Sequence, residues 1–440
     1  MDFTYCMNGN KPLKVLFLTW EFPPIITGGL GMACYGMVRA LLEQGVEIVL
    51  VLPTEKPCFF EMKRLEDADL LPCSVYKEAS GEWHSAKSIE DMEEWHSTKF
   101  VVDMEAWSGA ETLVHAKEWP GKETLLDTNE WHRLNPYQSN VFSPSRYRAL
   151  VEAIIPHVDF DVIHAHDWLT FEAGLYAKEV SGRPLVCHVH STEYDRACGQ
   201  GNERIHQFER IGLELADRVI AVSRFTASAV RDRYGIHPNM IRVVHNAYIL
   251  EESESSTERL FDEPVVLFMG RMTCQKGPGI FLEVARRVLS RFPGVRFIMA
   301  GKGDMLHNLI HRSAYYGMKN RIIFTGFLNR AEVDTVLSIS DIFIAPSVSD
   351  PFNITVLEAM SRGLAVLVSR QSGVTEVVRH VLTADHWDVD AMSHQIVSLL
   401  KNPARIKRLS HQGKAEAEQN SWHDPALKLK EAYGELLCST

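Results

Sequence analysis

The sequence predicts an α/β protein built from two parallel-sheet halves that face each other across a cleft. Short apolar, β-branched runs alternate with helical periodicities, as where the run 265–269 precedes Phe281, Val284, Ala285, Val288 and Leu289 at helical spacing. The polar, acidic stretch 251–258 reads as a linker between two such series. A chain of 440 residues is long enough for two or three domains, each with its own core.

Composition narrows the partners. Hydrophobic residues at 45% and charged residues at 23% are the proportions of a globular chain that buries a core. Lys and Arg number 46 against 57 Asp and Glu, a net charge of −11, which argues against nucleic acid or an anionic membrane as the main partner. Eight cysteines without a C-x-x-C pair fit a reducing, cytoplasmic location better than a disulfide or zinc framework. The first apolar run, 15–20, is too short to span a membrane and lacks the layout of a signal peptide.

The first half opens with a strand at 14–20, a turn containing Gly28, Gly29 and Gly31, a helix at 32–42 and a strand at 46–52. Without Cβ atoms, Gly28 and Gly29 let the backbone approach a ligand. The turn matches neither the dinucleotide fingerprint nor the Walker loop. Residues 76–135 read as a small antiparallel β insertion: Trp83, Trp95, Trp107, Trp119 and Trp131 recur every twelve residues, an even period that puts them on one face of extended strands. Such indoles form either the insertion's own core or a surface on which sugar rings stack. Further strands end at His164-Ala-His-Asp167 and His188-Val-His190, and Ser223 is placed to cap a helix.

In the second half, strands are expected at 265–271, 296–300, 321–325, 341–345 and 364–369. Asn329 and Glu332 form a capping-box pattern. The strand 341–345 runs into Pro346-Ser-Val-Ser-Asp-Pro-Phe-Asn-Ile-Thr-Val-Leu-Glu358, a strand-to-helix turn whose helix start offers backbone N–H groups and a dipole to a phosphate. Asp350 and Glu358 bracket that cradle and are suited to binding hydroxyls, a combination that fits a sugar nucleotide.

Four motifs in this order resemble the retaining GT-B glycosyltransferases, the clan of glycogen, starch, sucrose and trehalose synthases. They are Gly28-Gly-Leu-Gly31, His164-Ala-His-Asp-Trp168 with His188-Val-His190, Gly270-Arg271 with Gln275-Lys-Gly277, and the stretch 346–358. The resemblance implies a GT-B architecture: an N-terminal Rossmann-like acceptor domain over 1–250, a C-terminal nucleotide-sugar domain over 264–420, and a helix in 421–440 returning to the first domain. By the same resemblance, Arg271 and Lys276 hold the donor diphosphate, and Glu358 binds the ribose hydroxyls. Asp350 lies by the donor sugar, and the backbone at Gly28, Gly29, Asn353, Ile354 and Thr355 contacts phosphate. His190 stands at the reacting centre, and Asp167 on the acceptor side. Retention in this family is explained by front-face attack without an enzyme nucleophile. The expected reaction is transfer of glucose from UDP- or ADP-glucose to a glucan, as in glycogen synthase, with no cofactor and no metal.

Three positions depart from the family pattern. Asp350 stands where Glu is usual, Asn353 where Gly is usual, and Ile26 where the synthases that use ADP-glucose carry Lys. The alternatives are a small sugar, a sugar phosphate or a lipid as acceptor, a non-catalytic glucan-binding protein, and a metal site at the two His-x-His pairs. No further carboxylate and histidine spacing completes such a metal site.

Overall fold

A computed structural model describes residues 11–23, 28–53, 60–65, 76–77, 83–84, 143–249 and 259–438. In chain order the strands are β1 (Lys14–Leu18), β2 (Glu47–Val51), β3 (Phe60–Met62), β4 (Tyr76–Lys77), β5 (Trp83–His84), β6 (Val162–His166), β7 (Leu185–Val189), β8 (Arg218–Ala221) and β9 (Ile241–Val243) in the first half. The second half holds β10 (Val265–Met269), β11 (Arg296–Ala300), β12 (Ile322–Gly326), β13 (Ile342–Ala345), β14 (Ala365–Ser369) and β15 (Leu382–Ala384). The short pair β4–β5 is antiparallel. The rest of the expected insertion, with the tryptophan repeat beyond Trp83, lies outside the described residues, as do the linker at 251–258 and Ile26.

The helices are α1 (Gly29–Glu43), α2 (Pro144–Ile154), α3 (Trp168–Ser181), α4 (Glu193–Ala197), α5 (Glu203–Leu215), α6 (Arg224–Tyr234), α7 (Pro278–Arg291), α8 (Leu306–Tyr315), α9 (Arg330–Ser338), α10 (Ile354–Ser361), α11 (Val389–Leu400), α12 (Pro403–Glu418) and α13 (His423–Leu437). Local chemistry sets several starts. Ser223 accepts from the Thr226 N–H ahead of α6, and Asn329 with Glu332 closes a capping box on α9. No described helix is long and apolar enough to cross a membrane.

The first sheet runs β3-β2-β1-β6-β7-β8-β9 and is parallel except for the edge strand β3; the second runs β12-β11-β10-β13-β14-β15 and is parallel throughout. In both, the strand order reverses beside the first strand. That is where an open α/β sheet leaves a crevice for ligand at its carboxyl edge. Alternation along β1 sends Val15 and Phe17 into the core shared with α1, and Leu16 and Leu18 into the core under α2 and α3. Along β10, Val266 and Phe268 face one layer, Val265 and Leu267 the other.

α13 belongs to the first core, although it follows the whole second half in sequence. Ala426, Leu429, Ala432, Tyr433 and Leu436 pack with β1 and α1, and Trp422 lies against Gly36. A Cβ on Gly36 would stand 2.2 Å from the Trp422 indole nitrogen, so only glycine lets α1 and this chain segment meet.

Candidate functional site

The loop after β10 carries the positive charge. It turns through Cys274–Lys276 into Gly277, which has φ +69°. A Cβ there would lie 2.2 Å from the Pro346 carbonyl oxygen. Glycine therefore lets the lysine loop rest on the start of the 346–353 loop. Lys276 Nζ lies 2.9 Å from Asp350 Oδ2, and Ser347 Oγ donates to the same oxygen at 2.9 Å. The Asp350 N–H donates to the Gln371 carbonyl at 2.9 Å, and its own carbonyl accepts from Gly373 at 2.8 Å. Asp350 is 2% exposed. The acid expected beside the donor sugar is thus turned onto Lys276 and fixes the direction of the ammonium group.

Arg271 faces the first half. A Cβ on Gly28 would lie 3.9 Å from Arg271 Nε, so the Gly28–Gly29 turn and this guanidinium meet across the cleft. Among the described residues no hydrogen bond or ion pair engages the Arg271 side chain. In the same half α10 begins at Ile354, and Asn353 places no side-chain cap on the helix start. Uncapped N–H groups there, with Thr355 in the first turn, suit an anion. Glu358, one turn on, is buried and hydrogen-bonded to the Arg330 guanidinium, which also donates to Tyr248 Oη at 3.2 Å. Burial raises the Glu358 pKa, and Arg330 offsets this only in part. The expected ribose acid therefore comes with a cationic partner that sequence reading did not single out. Its signal was position, since Arg330 follows the Asn329 cap at the carboxyl edge of β12.

On the opposite wall β6 and β7 bring four imidazoles together. His164 Nε2 lies 3.2 Å from His188 Nδ1, and His166 Nδ1 lies 2.9 Å from His190 Nε2. Tyr433 Oη on α13 lies 2.7 Å from His164 Nδ1. With the phenol donating, His164 carries its proton on Nε2 and donates to His188, whose own Nε2 has no partner among the described residues. Burial keeps all four neutral: His164 and His190 are lowered to about 3, and His166 and His188 fall well below their ordinary value. Two sets, Cys34 with His166 and His190, and His164 with His166 and His188, bring three possible metal-ligand atoms within 4.8 Å. Four ring nitrogens of this cluster pair with one another as a ladder behind His190, while Nε2 of His166 and of His188 has no partner among the described residues.

Asp167 anchors the same loop. It sits between β6 and α3 at φ 57°, an uncommon conformation for a residue with a Cβ. Its Oδ1 accepts from the N–H groups of His190 at 2.8 Å and Ser191 at 3.3 Å. Burial raises its pKa to about 7, against the Arg196 charge and these two donors. The residue expected to face an acceptor thus spends its carboxylate on holding His190 in place. Arg196, also missed in the sequence, donates to the Ser191 carbonyl at 2.7 Å and pairs with Glu209 at 2.6 Å.

The halves touch around this centre. Ser349 Oγ donates to Asp195 Oδ1 at 2.5 Å, and Gln275 Nε2 reaches Ser191 Oγ at 3.4 Å. Glu376 accepts from the N–H groups of Arg224 and Phe225, each at 2.9 Å, and pairs with His245 Nε2 at 2.8 Å. A cationic loop, an open helix start and a neutral histidine ladder therefore converge where the two carboxyl edges meet.

Comparison with known proteins shows what this arrangement is similar to. Residues 251–416 match the family described as Glycosyl transferases group 1, and residues 108–252 match Glycosyltransferase Family 4. The two matches lie end to end over residues 108–416, and both are to glycosyltransferase families. An uncharacterized glycosyltransferase of Methanocaldococcus jannaschii is 25% identical over 384 residues, covering 84% of this chain and 83% of that one. A glycogen synthase of Mycobacterium tuberculosis is 24% identical over 282 residues, covering 62% and 68%. The crystal structure of Anabaena HepE in complex with UDP and glucose superposes with a TM-score of 0.66 at 17% identity, covering 96% of this chain and 100% of HepE. The GT-B fold is thereby shown, with both parallel-sheet halves in place.

Proposed function

We propose that this protein is a retaining glucosyltransferase that moves glucose from UDP- or ADP-glucose to a glucan, without a metal ion. The observation that carries the reading is Lys276, aimed by Asp350, on the same side of the cleft as the uncapped start of α10 and as Arg271, which meets Gly28 of the first half. This is a site for a diphosphate whose charge grows as the C1–oxygen bond breaks. Two cations, Lys276 and Arg271, meet that charge, which is the task a divalent ion performs elsewhere. Glu358 with Arg330 forms the ribose and base side. His190, neutral and held by Asp167 and His166, borders the sugar. The acceptor hydroxyl attacks the face the diphosphate leaves, and its proton passes to the departing diphosphate oxygen. The enzyme supplies position and charge, not a nucleophile.

The glucan acceptor rests on kinship with glycogen synthase and on the His-Ala-His-Asp-Trp and Arg-to-Gln-Lys-Gly motifs. Ile26, in the place of the ADP-glucose synthases' lysine, favours UDP-glucose. The test is to offer each sugar nucleotide with glycogen or malto-oligosaccharides, with excess EDTA and without it. The expected result is incorporation of α-linked glucose that survives the chelator. Activity lost in EDTA and restored by Mg²⁺ or Mn²⁺ rules out the metal-free mechanism, and a β-linked product rules out retention.

A further inference from the structure

A soft set of donor atoms lies beneath the histidine of the cleft. Cys34 Sγ, one ring nitrogen of His166 and one of His190 lie within 4.8 Å of one another. Three elements bring them together: Cys34 is on α1, His166 ends β6, and His190 follows β7. Cys34 and His166 have no exposed surface, whereas His190 is only partly buried, so the set reaches the cleft through His190. The other triad, His164 with His166 and His188, lies wholly in the interior and offers no thiol. His166 Nε2 is buried with no hydrogen-bond partner among the described residues, and a polar atom left so in a dry site calls for a ligand. The ring itself is fixed, its centroid 4.2 Å from that of Phe17. The Cys34 thiol touches Thr19 Oγ1 at 3.3 Å, a weak contact for sulfur. Cys34 stands far upstream of both His-x-His pairs, which is why their spacing alone reads as an incomplete metal site.

We propose that Cys34, His166 and His190 form an inhibitory site for a divalent transition-metal ion such as zinc. One thiolate and two imidazoles are a donor set that suits zinc, and they leave it a fourth position for water. Donors bound to a tetrahedral zinc stand about 3.5 Å apart, so atoms already within 4.8 Å need to close by only about 1 Å. The imidazoles bind through lone pairs, Cys34 gives one proton to solvent, and nothing is oxidised or reduced. Ligation by both rings gives up the 2.9 Å hydrogen bond between His166 and His190, and two metal bonds replace it. The consequence for turnover rests on the reading of His190 as the group that borders the donor sugar: a ring bound to metal is withdrawn from that task. The ion opposes transfer and takes no part in it, which agrees with transfer that survives a chelator.

The experiment uses the full chain, stripped with EDTA, freed of chelator and kept reduced with a phosphine. Co²⁺ is the probe, because a cobalt–thiolate bond absorbs in the near ultraviolet and tetrahedral cobalt absorbs in the red. The expected spectrum shows both bands, and Zn²⁺ abolishes them by taking the site. Cys34→Ala should lose the thiolate band, and so should Cys34→Ser. His190→Gln, at a partly exposed position, should weaken both bands and serves where a core variant does not fold. Turnover of the sugar nucleotide by the wild type should be lost in Zn²⁺ and return with EDTA, while Cys34→Ala keeps its turnover in zinc. A wild type without the cobalt bands overturns the proposal, and so does a thiolate band that survives in Cys34→Ala. Bound metal with undiminished turnover overturns the inhibition. A chain that turns over no sugar nucleotide even in EDTA defeats the functional reading instead, and the spectrum still decides the site.

Discussion

Lys276 and Asp350 are one device, and their substitutions should not add. Lys276→Ala removes the charge that meets the developing diphosphate, so kcat should fall about a hundredfold, as for loss of an oxyanion donor. Asp350→Asn keeps the shape and the Ser347 contact but frees the ammonium from its 2.9 Å partner. It should lower kcat/KM about tenfold with little change in melting temperature. If Asp350 acts by aiming Lys276, the double variant should be no slower than Lys276→Ala alone. Fully multiplied losses in the double variant would show that Asp350 touches the donor itself. Asp350 was expected beside the phosphate-binding turn and Lys276 through the family resemblance, but the two were not set against each other. Their pairing spans 74 residues and depends on Gly277 letting two backbones touch, which no local pattern records.

Among the elements, the interior strands and the helices with strong apolar periodicity were legible in the sequence. The run 296–300, expected as a strand, is β11. Not read were the edge strand β3, the helix α2, the helix α8 although it is as amphipathic as α7, and the short α4 with its Thr192–Asp195 capping box. The return of α13 came only through family resemblance, because its partners lie hundreds of residues earlier. Its seam makes two predictions. Gly36→Ala drives a methyl into Trp422 and should cost about 1–3 kcal/mol, seen as a lower urea midpoint. Tyr433→Phe leaves His164 Nδ1 buried without its donor and should cost about 1–3 kcal/mol by the same measurement. A variant as stable as wild type in either case would mean that α13 docks more loosely than its burial indicates.

For the whole molecule, the histidine ladder ties stability to pH. The four imidazoles stay neutral in the fold, with His164 and His190 lowered to about 3 from 6.5. Below pH 6.5 the unfolded chain takes up protons that the folded chain refuses. Their contribution is complete above that pH and drains away as pH falls towards 3, each proton weighing up to about 1.4 kcal/mol per pH unit. Asp167, raised to about 7, runs the other way, losing its contribution as pH rises from about 4 to 7; Glu209 and Glu358 are raised as well. The wild-type urea midpoint should drop between pH 6.5 and 4.5. His188→Gln should start lower at neutral pH but lose less on acidification, and parallel curves would refute the ladder as the cause. The returning helix bears also on the order of synthesis. While a ribosome is still translating the second half, the first half lacks Trp422, Ala426, Leu429 and Tyr433, so the groove along α1 stays open and His164 lacks its phenol. The nascent chain must therefore carry a half-finished core past the completion of the other domain, exposing apolar surface to chaperones until residue 437 has left the exit tunnel.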